Sequence, residues 1–297
     1  MQAIKQNIIK QGPNIILYND KSKAEISLIN GGSLTQLTLN NSIIIKDFSN
    51  IVTYKDSYAS AILFPFANRI LNGEYEYLNQ KYQLEKNSSC NTNAIHGLIY
   101  NKPFELTSKE NSKHSVSATL TYKQETKENG FPFLFSISIT YTLSNNQLDL
   151  NVTINNNDNS SFPFTIGWHP YFYSKDITNS ILEINSDKEI IHDQEMIPIK
   201  TENNKTPYKF KIGNKKLDNC YLLKNNFIGF KTPDYLLKIT SSFNNNYIQI
   251  YTPDLENHIA IEPITGPSNS FNNKLGLQTL PSKEEFNIQW TIQLKNE

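Results

Sequence analysis

The chain predicts an all-β protein, one large antiparallel β-sandwich of two sheets packed face to face, and three observations carry that prediction. Apolar and polar residues alternate with period two over long stretches. No stretch of ten or more residues has the 3.6-residue periodicity of an amphipathic helix, so helices are expected to be few and short. No repeat, charge run or Pro/Gly/Ser-rich linker divides the 297 residues, and sandwiches of this size commonly form one domain, so residues 1–297 are read as a single unit.

Taken in order, short strands are expected around 26–30, 34–39 and 74–84, separated by Asn, Gly and Pro clusters. The firmest element is a hairpin. Phe135, Ile137, Ile139, Tyr141 and Leu143 alternate with Ser and Thr. After the turn residues Ser144, Asn145, Asn146 and Gln147, Leu148, Leu150, Val152 and Ile154 alternate with polar residues. Further strands are expected at 236–241 and 247–252, and Ile288, Trp290, Ile292 and Leu294 repeat the alternation near the C-terminus. The runs Asn155, Asn156, Asn157 and Asn244, Asn245, Asn246 read as loop tips.

Composition narrows the partners. Lys plus Arg and Asp plus Glu number 28 each, and that zero net charge argues against nucleic acid or an acidic membrane surface. No apolar run approaches the ~18 residues of a membrane span, and the N-terminal segment lacks the apolar stretch of a secretion signal. A cytoplasmic location is therefore expected. Cys90 and Cys220 do not make a disulfide framework and read as reduced thiols.

Only one of the 28 basic residues is an arginine, Arg69, and it sits in the apolar run from Leu63 to Ile70 beside Asn68. Its planar, multi-donor fork is something an ammonium cannot copy. It points to a grip on a carboxylate or an oxygen-rich ligand; the competing reading is a buried structural ion pair.

Four other segments also place an ionisable group in an apolar or turn-rich setting, where a charge is costly unless paired or used. They carry His96 (with Asn93 and Gly97), His169 (with Trp168, Pro170, Tyr171 and Phe172), Asp218 (with Cys220) and Glu262 (after Ile259 and Ile261, before Pro263). A histidine beside glycine, like His96, is more often a hydrogen-bonded core or turn residue than a catalyst. His169 lies among aromatics that suit a ligand wall. Glu262 is either paired or kept as a base with a raised pKa. His114, His192 and His258 have polar neighbours and read as solvated. A Gly-x-Ser-x-Gly elbow, a Gly-rich phosphate loop, His-Glu-x-x-His and Cys-x-x-Cys are all absent. Phosphoryl transfer, nucleotide redox chemistry and zinc hydrolysis thus have little support.

Read together and in order, these segments resemble the aldose 1-epimerase (mutarotase) family, most closely its shorter bacterial members. The likeness runs from about residue 20 to 295. It rests on Asn68, Arg69 and Ile70 with the following Asn72 to Tyr75, on Asn93 to Leu98, on 167–172, and on Glu262 to Pro267 with Ser270, Phe271 and Asn272. The resemblance implies a galactose mutarotase-like sandwich that holds a sugar in an open cleft of one curved sheet. It also implies Glu262 as base, His169 as acid, His96 assisting, and Arg69 and Asp218 on sugar hydroxyls. No metal or redox cofactor is implied, and the partner is a small sugar; the chain is expected to be a monomer or homodimer.

The chemistry suits these residue types independently. Interconverting α and β anomers needs a base on the C1 hydroxyl and an acid at the ring oxygen, followed by rotation about C1–C2 and reclosure. A carboxylate and an imidazole with tuned pKa values serve both directions. Asn68 adds a hydroxyl contact, and Trp168, Tyr171 or Phe172 would cover an apolar sugar face. Two alternatives stand beside this reading. One is a hexose-6-phosphate 1-epimerase, whose relatives use extra arginines that this chain lacks, with lysines such as Lys102 as substitute point charges. The other is a catalytically silent carbohydrate-binding sandwich.

Overall fold

The computed structural model describes residues 7–88, 91–244 and 246–295. Cys90, Asn245 and the first six residues of the N-terminal segment lie outside them. The described chain is mostly antiparallel sheet, as its alternation predicts. Five strands, Asn7–Gln11, Asn14–Tyr18, Lys23–Ser27, Leu34–Leu39 and Ser42–Ile45, pair in sequence order as a small sheet. A much larger sheet is ordered, from one edge, Glu105–Asn111, Val116–Gln124, Phe135–Leu143, Gln147–Asn156, Glu285–Lys295, Leu236–Ser241, Asp218–Lys231, Tyr247–Tyr251, His258–Ile264, Gly167–Trp168 and Ile62–Leu63. Tyr171–Tyr173 joins it beside His258–Ile264, and Ile181–His192 joins beside Asp218–Lys231.

Its register explains the core. Leu143 pairs with Leu148 and Ile137 with Ile154, so one face of the hairpin is uniformly apolar. That face meets the small sheet. Ile15, Leu17, Ile26, Leu34 and Leu37 belong to the same buried cluster as Ile139, Tyr141, Val152, Trp290 and Ile292. Tyr141 hydroxyl donates to the Gly32 carbonyl at 2.8 Å, satisfying its one polar atom inside that core.

Two expectations shift. The strand expected at 26–30 is Lys23–Ser27, because Gly31 and Gly32 take φ +63° and +69° and turn the chain early. The run 74–84 is a hairpin of Glu74–Tyr77 and Gln80–Gln83, turned by Leu78 and Asn79, both at positive φ. Among the described residues the α-helices are Tyr54–Ser57 and Ser270–Asn273, four residues each. No described helix is long and apolar enough to cross a membrane.

Candidate active site

The strand His258–Ile264 is buried along its whole length, so a carboxylate on it has little water to stabilise its charge. Glu262 stands opposite Gln249, which stands opposite Cys220 on the next strand. One row along, Tyr171, Ala260, Tyr251 and Asp218 lie side by side. Residues opposite each other, or two apart on one strand, share a face. Glu262, Gln249, Asp218, Tyr251 and Tyr171 therefore project together, and they line a cavity of about 950 Å³.

Two loop segments supply the rest of the lining. Arg69–Ile70 pairs with Ala94–Ile95, placing Arg69 opposite Ile95, and the His96 amide donates to the Asn68 carbonyl at 2.9 Å. Asn68 and His96 hold φ of +55° and +61°, a left-handed conformation that costs energy in residues with a Cβ. Both side chains reach the cavity as a result. His169 enters from the strand end at Gly167–Trp168. Its Nε2 comes to 3.4 Å from Glu262 Oε1, just beyond hydrogen-bond range, with both residues buried.

Ring contacts fix the two imidazoles. His169 stacks on Tyr171 with centroids 5.1 Å apart and meets His96 edge-on at 5.0 Å, while Tyr58 packs on His96 at 4.7 Å. Both His96 Nδ1 and His169 Nδ1 are buried with no partner in the described structure. Orphaned polar atoms around one cavity mark a place where a polar ligand belongs. Arg69 Nη1 donates to Asn68 Oδ1 at 2.9 Å, leaving most of its fork unused, and Gln249 Nε2 donates to Asp218 Oδ1 at 2.6 Å.

Electrostatics push the acid and the base towards each other. Burial raises Glu262 well above the usual carboxylate range, with the Asp218 charge adding to the rise and Arg69 opposing it. Burial lowers His169 to about 4 and holds His96 well below an ordinary imidazole. Burial also raises Asp218, against the pull of Arg69 and the Gln249 hydrogen bond, and lowers Arg69 against the pull of Asp218 and Glu262. The proton affinities of Glu262 and His169 have thus crossed. Burial thus favours a protonated carboxyl at Glu262 and a neutral imidazole at His169.

The structure gathers Glu262, His169, His96, Arg69, Asn68, Asp218 and Tyr171 around one cavity. Trp168 is not there. Strand alternation sends it to the opposite face from His169, where it is fully buried and stacks on Trp290 at 6.3 Å. Phe172 is in the core too, against Phe230. An aromatic beside a site residue in sequence points away from it in an extended chain. His258 also departs from expectation: it is buried, with Nδ1 at 2.7 Å from the Glu256 carbonyl and its ring against Phe48. His192 is half-buried, and only His114 of the three is exposed. Sequence reasoning passed over Gln249, although an amide inside Tyr247–Tyr251, an otherwise apolar strand, is itself a signal. No group of three or more His, Cys, Asp and Glu side chains among the described residues is arranged to hold a metal ion.

The family described as aldose 1-epimerase matches residues 13–293. The uncharacterized protein YihR of Escherichia coli K12 is 23% identical over 249 residues, covering 80% of this chain and 79% of that protein. A galactose mutarotase-like protein from Clostridium acetobutylicum superposes with a TM-score of 0.88 at 19% identity, covering 100% of both chains. A galactose 1-epimerase from Lactobacillus acidophilus NCFM superposes with a TM-score of 0.82 at 17% identity, covering 98% of this chain and 99% of that one.

Proposed function

The chain belongs to the aldose 1-epimerase family, and from that premise we propose that it interconverts the α and β anomers of a free hexose such as glucose or galactose. One observation carries the reading. An imidazole and a carboxylate, both buried, face each other across 3.4 Å at a cavity large enough for a sugar. In the form of the pair that carries its one proton on His169, Glu262 takes the C1 hydroxyl proton while His169 protonates the ring oxygen, and the C1–O5 bond breaks. Rotation about C1–C2 then presents the other face of the aldehyde, and the same two groups exchange roles on reclosure. His96 donates to the ring oxygen as charge develops there. Arg69, Asn68 and Asp218 orient hydroxyls, and Tyr171 covers an apolar face of the ring.

The rim favours an uncharged sugar over a phosphorylated one. Lys55, Lys86 and Lys102 line the cavity together with Asp56, Glu85 and Glu128, so the rim's charges balance, and Glu128 lies 3.2 Å from Lys102. A phosphate would gain little net attraction there. Polarimetry tests the reading. Freshly dissolved α-D-glucose and α-D-galactose should relax faster with catalytic amounts of protein, and glucose 6-phosphate should not. Acceleration confined to the phosphorylated sugar would overturn the choice of substrate. Binding without acceleration would favour the silent carbohydrate-binding sandwich.

A pH profile follows from the crossed proton affinities. The working pair carries one proton, so a second proton taken up near the lowered His169 value of about 4 removes the base. Loss of the shared proton through the raised Glu262 pKa removes the acid. The expected kcat/KM profile, corrected for the uncatalysed rate, is a bell with its acid limb near pH 4. An acid limb near 6.5, where an ordinary histidine titrates, would contradict the pairing.

A further inference from the structure

We propose that Tyr251 is a further specificity-determining residue, whose phenol donates to the same sugar hydroxyl that Asp218 accepts from, while its ring extends the apolar floor begun by Tyr171. The inference rests on the hexose-epimerase reading above and adds a contact to that same site.

Strand pairing lays the cavity floor out as a grid. Tyr251 stands opposite Asp218 on one side and opposite Ala260 on the other, and Tyr171 stands beyond Ala260. Gln249 and Glu262 face each other in the next row. Neighbouring strands lie about 5 Å apart, and residues two apart on one strand share a face at about 7 Å. A pyranose whose C1–O5 edge lies at Glu262 and His169 therefore extends its remaining hydroxyls over the row that holds Tyr251. Ala260 shapes that row. It is fully buried in an apolar cluster with Tyr171 and Phe48, and Tyr251 packs against the same cluster. A methyl group between two aromatic side chains leaves room for both rings to lie over it.

The hydroxyl is the second observation. Tyrosines that serve the fold are anchored: the hydroxyls of Tyr54, Tyr75 and Tyr141 each donate to a backbone carbonyl. Tyr251 is half-buried and lines the cavity, and among the described residues its hydroxyl has no hydrogen-bond partner. Burial, then the carboxylates of Asp218, Asp254 and Glu262, raise its pKa above that of an ordinary phenol, with Lys216 opposing, so the group stays a neutral donor. Beside it, Gln249 occupies Oδ1 of Asp218 and leaves Oδ2 to accept. A sugar hydroxyl both donates and accepts. Directly opposed residues on paired strands set a carboxylate acceptor and a phenol donor close enough to meet both needs of one hydroxyl.

The test compares wild type, Tyr251→Phe, Tyr251→Ala and Asp218→Asn on glucose and on its 2-, 3-, 4- and 6-deoxy analogues. Tyr251→Phe removes the hydroxyl and keeps the ring. Its KM for glucose should rise about five- to tenfold, the worth of one hydrogen bond, with kcat held within about twofold. That penalty should vanish on one deoxy sugar, and the Asp218→Asn penalty should shrink on the same one. Tyr251→Ala should raise KM further on every sugar, because the platform goes as well. An equal Tyr251→Phe penalty on all analogues, a fall in kcat alone, no effect, or relief of the two variants by different analogues would overturn the proposal. If wild type accelerates none of these sugars, the epimerase reading fails instead, and calorimetric binding of glucose decides on Tyr251. Weaker binding by Tyr251→Phe supports the contact; equal binding, or none by either protein, overturns it.

Discussion

Replacing Glu262 by glutamine is expected to cut the rate of anomer interconversion by about 10³-fold, within the range general acid–base groups contribute, and to leave the protein folded. The amide keeps the shape of the carboxyl but cannot take the C1 proton. Stability gives an independent check on the same residue. The folded-state pKa of Glu262 lies above its ordinary value of 4.5 because the buried site disfavours the charged form. Protonated Glu262 is therefore the form the fold prefers. Its contribution is fully present below the unfolded pKa and is lost as pH rises through the folded one. Wild type should lose stability over that window, and Glu262→Gln should not. Urea melts at several pH values, run beside polarimetry, separate the outcomes. A variant that is inactive, folded and flatter in its pH–stability curve fits the base. An unchanged rate would remove Glu262 from the chemistry.

How much of this was legible in the sequence depends on how local the cause is. The hairpin Phe135–Leu143 and Gln147–Asn156 is written in its own alternation, because one face is buried from end to end. Leu236–Ser241 is similarly self-evident. The segments that build the cavity are another matter. Ile62–Leu63, Arg69–Ile70, Ala94–Ile95 and Gly167–Trp168 are two residues long, too short for any periodicity, and their partners lie far away in the chain. Glu262, His169, His96 and Arg69 stood out because ionisable groups in apolar runs need a reason. Trp168 misled because aromatic character says nothing about which face a side chain takes; its odd spacing from His169 held that information. His258 and His192 misled because polar neighbours in sequence are not polar surroundings in space. His258 pairs with a backbone carbonyl inside the fold, and His192 keeps its Nε2 buried.

The second large effect is expected at a residue with no side chain to offer a ligand. Gly97 follows His96 at φ +77°, and a Cβ there would sit 2.2 Å from the Phe64 carbonyl oxygen. That approach is built into the site. Phe64 and Gly97 form an isolated parallel bridge, the Leu98 amide donates to the same Phe64 carbonyl at 2.7 Å, and the His96 amide donates to Asn68. The glycine lets the His96 segment lie directly on the Arg69 segment. Gly97→Ala must therefore adopt a disfavoured φ and also push two backbones apart. The expected cost is about 3 kcal/mol or more in urea unfolding. Gly213→Ala supplies the control. Gly213 also has positive φ, +62°, but nothing lies within 4 Å of its added Cβ, so strain acts there without a clash. That variant should lose only about 1 kcal/mol. The difference between the two isolates the backbone contact. If it is real, surviving Gly97→Ala protein should lose activity along with stability, because the displacement moves His96 and Asn68 together. Equal costs for the two glycines would mean that the Phe64 segment gives way freely. The tight seating of His96 beside Arg69 would then have to come from its own side-chain packing against Tyr58 and His169.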